Sequence, residues 1–202
     1  MSVPLHCLVF DIETRSLRRL TQDAFADLQP TWSNDGAALT FVTDRFSSRL
    51  DALTFGDWRL ATIAASGGRV DRRPAFETGG HLNPQWDDDG THLFFVASPD
   101  GAPNIYRQRL ADGRIQQVTD VVTAVSGITS GSPAISYAPE ARRLAFGVLR
   151  NGGYDLRVLE GIQVTRNWVV ASPGSGISVQ ANLPSTVSAT ISRNIVWRSG
   201  GS

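Results

Sequence analysis

Three consecutive carboxylates, Asp87-Asp88-Asp89, followed by Gly90 form the densest group of potential ligands in this 202-residue chain. Neighbouring carboxylates repel one another and so favour a nearby cation. A calcium loop of the helix-loop-helix kind places oxygen ligands at alternate positions and closes on a Glu, whereas here Gln85 stands at the first ligand position and Val96 at the last. The same pattern recurs as Ser33-Asn34-Asp35-Gly36. The string therefore reads as a turn whose short polar side chains bond local backbone N–H groups, and no metal is expected. The three histidines, His6, His81 and His92, show no ligand spacing, and His92 is expected on an exposed strand surface. Cys7, the single cysteine, excludes an internal disulfide and a Cys-built zinc or iron–sulfur site.

Nucleophilic catalysis needs an activated Ser, a base and an orienting carboxylate. No Gly-x-Ser-x-Gly elbow occurs, since Gly174-Ser175-Gly176 and Gly127-Ile128-Thr129-Ser130-Gly131 have the wrong spacing, and no phosphate loop or dinucleotide fingerprint is present. Neither catalysis nor a cofactor is expected within these residues. Nineteen basic residues, all Arg, balance nineteen acidic ones, so no net field draws the chain to nucleic acid or an anionic bilayer. The absence of Lys reads as a GC-rich coding sequence. No apolar stretch approaches the length of a membrane span, and Met1 to Phe10 is too short for a secretory signal.

The elements that position these residues come from an internal repeat. Pro30, Trp32, Ser33, Asn34, Asp35, Gly36, Leu39, Phe41 and Val42 align without a gap to Pro84, Trp86, Asp87, Asp88, Asp89, Gly90, Leu93, Phe95 and Val96. A weaker third copy runs from Pro133 through Ile135, Tyr137, Pro139 and Glu140 to Leu144 and Phe146. It has Ile135 at the place of the Trp and two extra residues in the turn. Local hydrophobicity alternates with period two, and each Asp-Gly turn lies between two such runs, which predicts hairpins. Third strands are expected at Arg59 to Ala64, Ile105 to Leu110 and Tyr154 to Leu159, and fourth strands at Arg69 to Arg73 and Arg114 to Thr119. The class is all-β, with antiparallel four-stranded propeller blades. Trp32 and Trp86, recurring in register, are expected at equivalent buried positions.

The Pro-x-Trp-Ser-x-Asp-Gly-x-x-Leu-x-Phe string, the Asn104-Ile105-Tyr106 strand and Arg19-Leu20-Thr21 resemble the TolB-like β-propeller repeat. The resemblance covers about residues 5 to 160, as a partial first blade at 5–20 and blades at about 28–77, 82–120 and 131–160. It implies six blades in a complete propeller, so the chain reads as an incomplete propeller fragment of about three and a half blades. The Ser/Gly-rich tail 161–202 carries no copy of the repeat and reads either as an altered frame or as strands that close the ring. Propellers of this kind serve as docking platforms in the cell envelope, as gating domains of prolyl-oligopeptidase-type enzymes and as modules of larger surface proteins. The resemblance implies a non-catalytic module that binds a protein or peptide in a bacterial envelope protein, periplasmic or envelope-bound. The alternative is a substrate-gating propeller separated from its serine-peptidase domain.

Binding residues are expected on loops whose content exceeds the need of their blade. Asp44 to Asp51 is an insertion between second and third strands, followed by an unrepeated Trp58. It could serve recognition or pack on its own blade. The inter-blade connection Thr78-Gly79-Gly80-His81 and the turn Pro99-Asp100-Gly101 are the other candidates. Strand parity puts all three at one end, opposite Asp87, Asp88 and Asp89. The candidate contacts are Arg45, Arg49, His81 and Asp100.

Overall fold

A computed structural model of the chain describes residues 5–129, 131–150 and 152–160. The two readings of the tail 161–202 lie outside the described residues.

The alternating apolar runs form antiparallel sheets joined in chain order. Strands β1 (Leu8–Asp11) and β2 (Ser16–Arg19) make a two-stranded sheet. Strands β3 (Asp27–Trp32), β4 (Ala38–Thr43), β5 (Arg59–Ala64) and β6 (Asp71–Arg72) make the first four-stranded sheet. Strands β7 (His81–Trp86), β8 (His92–Ala97), β9 (Asn104–Arg109) and β10 (Ile115–Gln117) make the second. Strands β11 (Ile135–Ala138), β12 (Arg143–Arg150) and β13 (Gly153–Glu160) make a third sheet, of three strands among the described residues. The architecture is all-β and of propeller type, and the inner strands β3, β7 and β11 are neighbours across sheets.

Turn chemistry explains the hairpins. The Ser33 hydroxyl accepts from the N–H of Ala38 at 2.9 Å and Asp87 Oδ1 from the N–H of His92 at 3.0 Å, so the two repeat copies close their turns in the same way. Gly36 and Gly90 take left-handed φ of 68° and 70°, which the bend requires and a Cβ disfavours. In the third hairpin the left-handed position moves on by one residue to Arg142, φ 49°, whose N–H reaches Pro139 O at 3.2 Å.

Register corrects one alignment. Trp32 pairs with Leu39, Trp86 with Leu93, and Tyr137 with Leu144. Tyr137, rather than Ile135, therefore stands in the Trp position. The two extra residues precede the aromatic position instead of entering the turn, because pairing is counted outward from the turn. Ile135 is 5% exposed and belongs to the core.

The core lies between sheets. Val42 and Leu60 of the first sheet pack with Leu93, Phe95 and Tyr106 of the second. Phe94, Val96 and Ile105 pack with Ile135, Leu144, Phe146 and Val148 of the third. Trp86 packs on the first of these clusters, but Trp32 is 47% exposed, which corrects the expectation of equivalent burial. The cause is what precedes each residue. Trp86 follows a sheet with inner strands, whereas β1–β2 is a two-stranded sheet ahead of Trp32.

Candidate functional site

The insertion between β4 and β5 is held by bonds within the loop and to the segment before β3. Asp44, 8% exposed, accepts from the N–H of Ala26 at 2.9 Å and from the Ser48 hydroxyl at 2.8 Å, while its carbonyl accepts from the N–H groups of Ser47 and Ser48. Arg49 and Thr54 exchange backbone hydrogen bonds of 2.7 and 2.9 Å around a 3-10 turn at Leu50–Ala52. Leu53 occupies the left-handed position after that turn, φ 50°. Past that turn the loop leaves two large apolar side chains open: Leu53 is 79% exposed and Phe55 73%. Arg49 and Asp51 form an exposed pair at 3.4 Å beside them.

Arg59, at the start of β5, ties this insertion to the next connection. Its guanidinium lies 3.5 Å from Asp57 and donates to the carbonyls of Glu77, at 2.7 Å, and Gly79. Gly79, φ 71°, lies so close to the Ser98 carbonyl that a Cβ would strike it, and the Thr78 hydroxyl donates to Pro99 O at 3.2 Å. The insertion, the connection and the turn holding exposed Asp100 are thus linked by contacts.

Two of the four expected contacts are interior residues. Arg45 extends inward, with 12% of its side chain exposed; it meets Asp23 at 2.5 Å and fully buried Asp27 at 3.1 Å, and it lies over the Phe25 ring. It anchors the segment before β3 instead of facing a partner. His81 opens β7 and is 0% exposed, enclosed by Phe76 and Phe95. Its Nδ1 lies 3.1 Å from Trp58 O and must carry the proton, which leaves Nε2 without a partner. Burial, aided by the Arg59 charge, pushes this imidazole down to about 4, so it is neutral at pH 7. Arg49 and Asp100 alone remain at the surface.

At the opposite end, the carboxylate string is a turn built around a buried ion pair. Asp87 is 1% exposed, and its Oδ2 lies 3.0 Å from Arg107 and 3.0 Å from His92 Nδ1. His92 is therefore half-enclosed instead of free on a surface, with 19% of its side chain exposed. The Asp89 carboxylate accepts from the hydroxyl and N–H of Thr91, which holds it down at about 2. Asp87, Asp89 and His92 offer atoms within 4.8 Å of one another, but Arg107 already supplies the positive charge between Asp87 and His92. Sequence reading missed this pair, although it left a trace. The corresponding residues of the first sheet are Ser33 and Thr62, so both members change together between repeat copies.

Cys7 is buried, and burial pushes its thiol up to about 12, which keeps it protonated at pH 7. No helix of the described residues is long and apolar enough to cross a membrane.

No family model matches the chain, and a search of curated proteins finds no match. Solved structures do match. TolB from Acinetobacter baumannii aligns with 77% of this chain and 35% of its own, at 17% identity and a TM-score of 0.58. A protein from Agrobacterium tumefaciens described as a TolB aligns with 71% of this chain and 47% of its own, at 19% identity and a TM-score of 0.52. A puromycin-hydrolysing peptidase of Mycobacterium tuberculosis aligns with 71% of this chain and 21% of its own, at 17% identity and a TM-score of 0.50. The aligned region thus spans between about a third and a half of the length of the two TolB structures. At these identities the likeness concerns architecture alone, and it agrees with the repeat: the described residues are antiparallel blades of a β-propeller fold similar to that of the TolB structures.

Proposed function

We propose that this chain is a non-catalytic propeller module that binds a protein or peptide, as part of a bacterial envelope protein exposed to the periplasm. The observation that carries the reading is the β4–β5 loop at 44–58, which contains the insertion Asp44 to Asp51 and continues past it. It is tied to its own blade through Asp44 and Arg45 and still exposes Leu53 and Phe55 at 79% and 73%. A loop that packed on its own blade would bury such side chains, and large exposed apolar groups on a rigid loop are what an interface uses as anchors. Arg49, Asp51 and Asp100 supply a charged rim. Arg45 and His81 support the surface from beneath.

A displayed random-peptide library, panned on the immobilised chain, tests this. Peptides enriched on the native chain should lose at least tenfold in binding to a Leu53→Asp/Phe55→Asp variant of unchanged circular dichroism. Undiminished binding would remove the loop from the interface.

The second reading is a substrate-gating propeller of a serine peptidase, and the likeness to the mycobacterial peptidase favours it. The parent gene separates the two. A nucleophile elbow in an adjoining α/β-hydrolase segment supports gating, and an envelope domain supports docking.

A further inference from the structure

Four Asp-Gly pairs lie in turns of the described residues: Asp35-Gly36, Asp89-Gly90, Asp100-Gly101 and Asp112-Gly113. An Asp before a Gly is open to one spontaneous reaction, because the Gly has no side chain to hinder attack of its backbone nitrogen on the Asp Cγ. The carboxyl reacts when it is protonated and free to swing toward that nitrogen. Three of the four turns oppose both conditions in the same way. Asp35 Oδ1 accepts the N–H of Ala37 at 3.0 Å, Asp89 Oδ1 that of Thr91 at 2.8 Å and Asp112 Oδ1 that of Arg114 at 3.1 Å, each two residues on. A second donor holds each carboxylate: the Ser33 hydroxyl at 2.6 Å, the Thr91 hydroxyl at 2.5 Å and the Arg109 Nε at 2.9 Å. Bonds to the ionised form keep Asp35 below the usual carboxylate range and hold Asp89 and Asp112 down at about 2.

Asp100 is the exception. It is exposed in the turn between β8 and β9, and among the described residues its carboxylate has no hydrogen bond or ion pair. The backbone differs as well: Gly36, Gly90 and Gly113 take φ of 68°, 70° and 72°, and Gly101 takes 94°. The Gly101 N–H donates to Ser98 O at 3.2 Å, within the 2.9 to 3.4 Å of the other three Gly N–H groups, so the bonds of the carboxylate and not those of the nitrogen set this pair apart. A Cβ on Gly101 would meet nothing within 4 Å, so the space beside the pair is open.

We infer that Asp100-Gly101 is the Asp-Gly pair at which the folded chain converts aspartate to isoaspartate, the other three being protected by the bonds of their turns. The Gly101 nitrogen loses its proton to water and bonds to Asp100 Cγ, and a Cγ–O bond of the protonated carboxyl breaks to release water. The product is a succinimide ring. Water then adds to one of its two carbonyls: breaking the new Cγ–N bond restores aspartate, and breaking the old peptide C–N bond leaves the chain running through the Asp100 side chain. The water released in the first step is regained in the second, and no other reactant is needed. The β8–β9 turn gains a methylene in its main chain. The change falls where this turn meets the connection before β7, through the Thr78 hydroxyl on Pro99 O at 3.2 Å and Gly79 against the Ser98 carbonyl. The inference does not depend on the binding reading.

Peptide mapping of the folded chain aged at pH 7 tests it, with the isoaspartate in each Asp-Gly peptide measured by enzymatic methylation. The same chain aged in urea is the reference, because unfolding removes the turn bonds of all four pairs. In the folded chain isoaspartate should accumulate at Asp100 about tenfold or more faster than at Asp89 and Asp112, as their lowered carboxyls require, and faster than at Asp35. In urea the four rates should fall within about threefold of one another. Arg109→Gln, with unchanged circular dichroism, removes a donor from Asp112 and should raise the rate there about threefold or more while leaving that at Asp100 unaltered. Equal rates at the four pairs of the folded chain overturn the proposal, and so does a rate at Asp100 that folding suppresses as strongly as at the others. A tenfold lead of Asp100 already present in urea overturns protection by the turns, since the local sequence would then be the cause.

Discussion

Gln29 and Asn83, 54 residues apart, occupy the same bulge of successive inner strands with left-handed φ of 53° and 51°, and Gln29 Oε1 accepts the N–H of Asn83 at 2.6 Å. Asn83 repeats the gesture toward the third sheet, its Oδ1 accepting the N–H groups of Ala134 and Ile135 at 2.8 Å each. The bulge frees each side chain from its own ladder and aims it at the backbone of the following sheet. The relay stops at Ala134, which has no side-chain oxygen.

Replacing Asn83 by Ala should destabilise the chain by about 2–4 kcal/mol, because two buried N–H groups lose their acceptor and an Ala is forced into left-handed backbone. Asn83→Gly keeps the backbone freedom and loses only the bonds. Urea unfolding of the two variants should therefore differ by about 1 kcal/mol.

The two repeated tryptophans should behave differently. Trp86→Ala should cost about 2–4 kcal/mol and Trp32→Ala less than about 1.5 kcal/mol, since Trp86 is partly buried and packed on the core while Trp32 is half exposed. Acrylamide should quench Trp32 in a chain retaining that tryptophan alone, and Trp86 only weakly. Equal costs would show that Trp32 has a covered face.

Arg45 and Arg49 lie four positions apart and should respond oppositely. Arg45→Ala leaves Asp27 buried without its cation and should cost about 2–4 kcal/mol, while Arg49→Ala should stay within about 0.5 kcal/mol. Thermal melts of both variants decide it.

His81 makes stability depend on pH. Its folded value of about 4 lies below the 6.5 of the unfolded chain, so between those values the unfolded state binds more protons. This contribution is neutral above about pH 6.5, turns against the fold as pH falls toward 4, and reaches on the order of 3 kcal/mol below that. Arg59 and Arg72 oppose protonation and Asp57 favours it. A His81→Phe variant, which fits among Phe76 and Phe95, should lose less stability than the native chain between pH 7 and 4 in denaturant titrations. Parallel curves would assign the acid sensitivity to other groups.

The Asp-Gly turns, the period-two runs and the strands Ala38–Thr43, Arg59–Ala64 and His92–Ala97 were legible directly, because each is set by neighbours within a few residues. The third hairpin was misregistered because Pro133 and Tyr137 had to be placed without the pairing partner Leu144 that defines their position. His81 looked like a loop residue after two glycines. Its pairing with Ala97 of β8 makes it the first residue of a strand, and the bond from its N–H to Trp58 O, 23 positions earlier, holds its ring in the core.

What the sequence by itself determined is the repeat: period, turn type and the alternation that makes each unit a sheet with two apolar faces. Which of those faces is covered was decided by tertiary structure, since burial of an apolar side chain depends on the sheet that follows or precedes it. That is why Trp86 is packed and Trp32 is not. The same reason governs the charges. Arg45 and Arg49 are indistinguishable in sequence, and only the fold brings Asp23 and Asp27 to one of them.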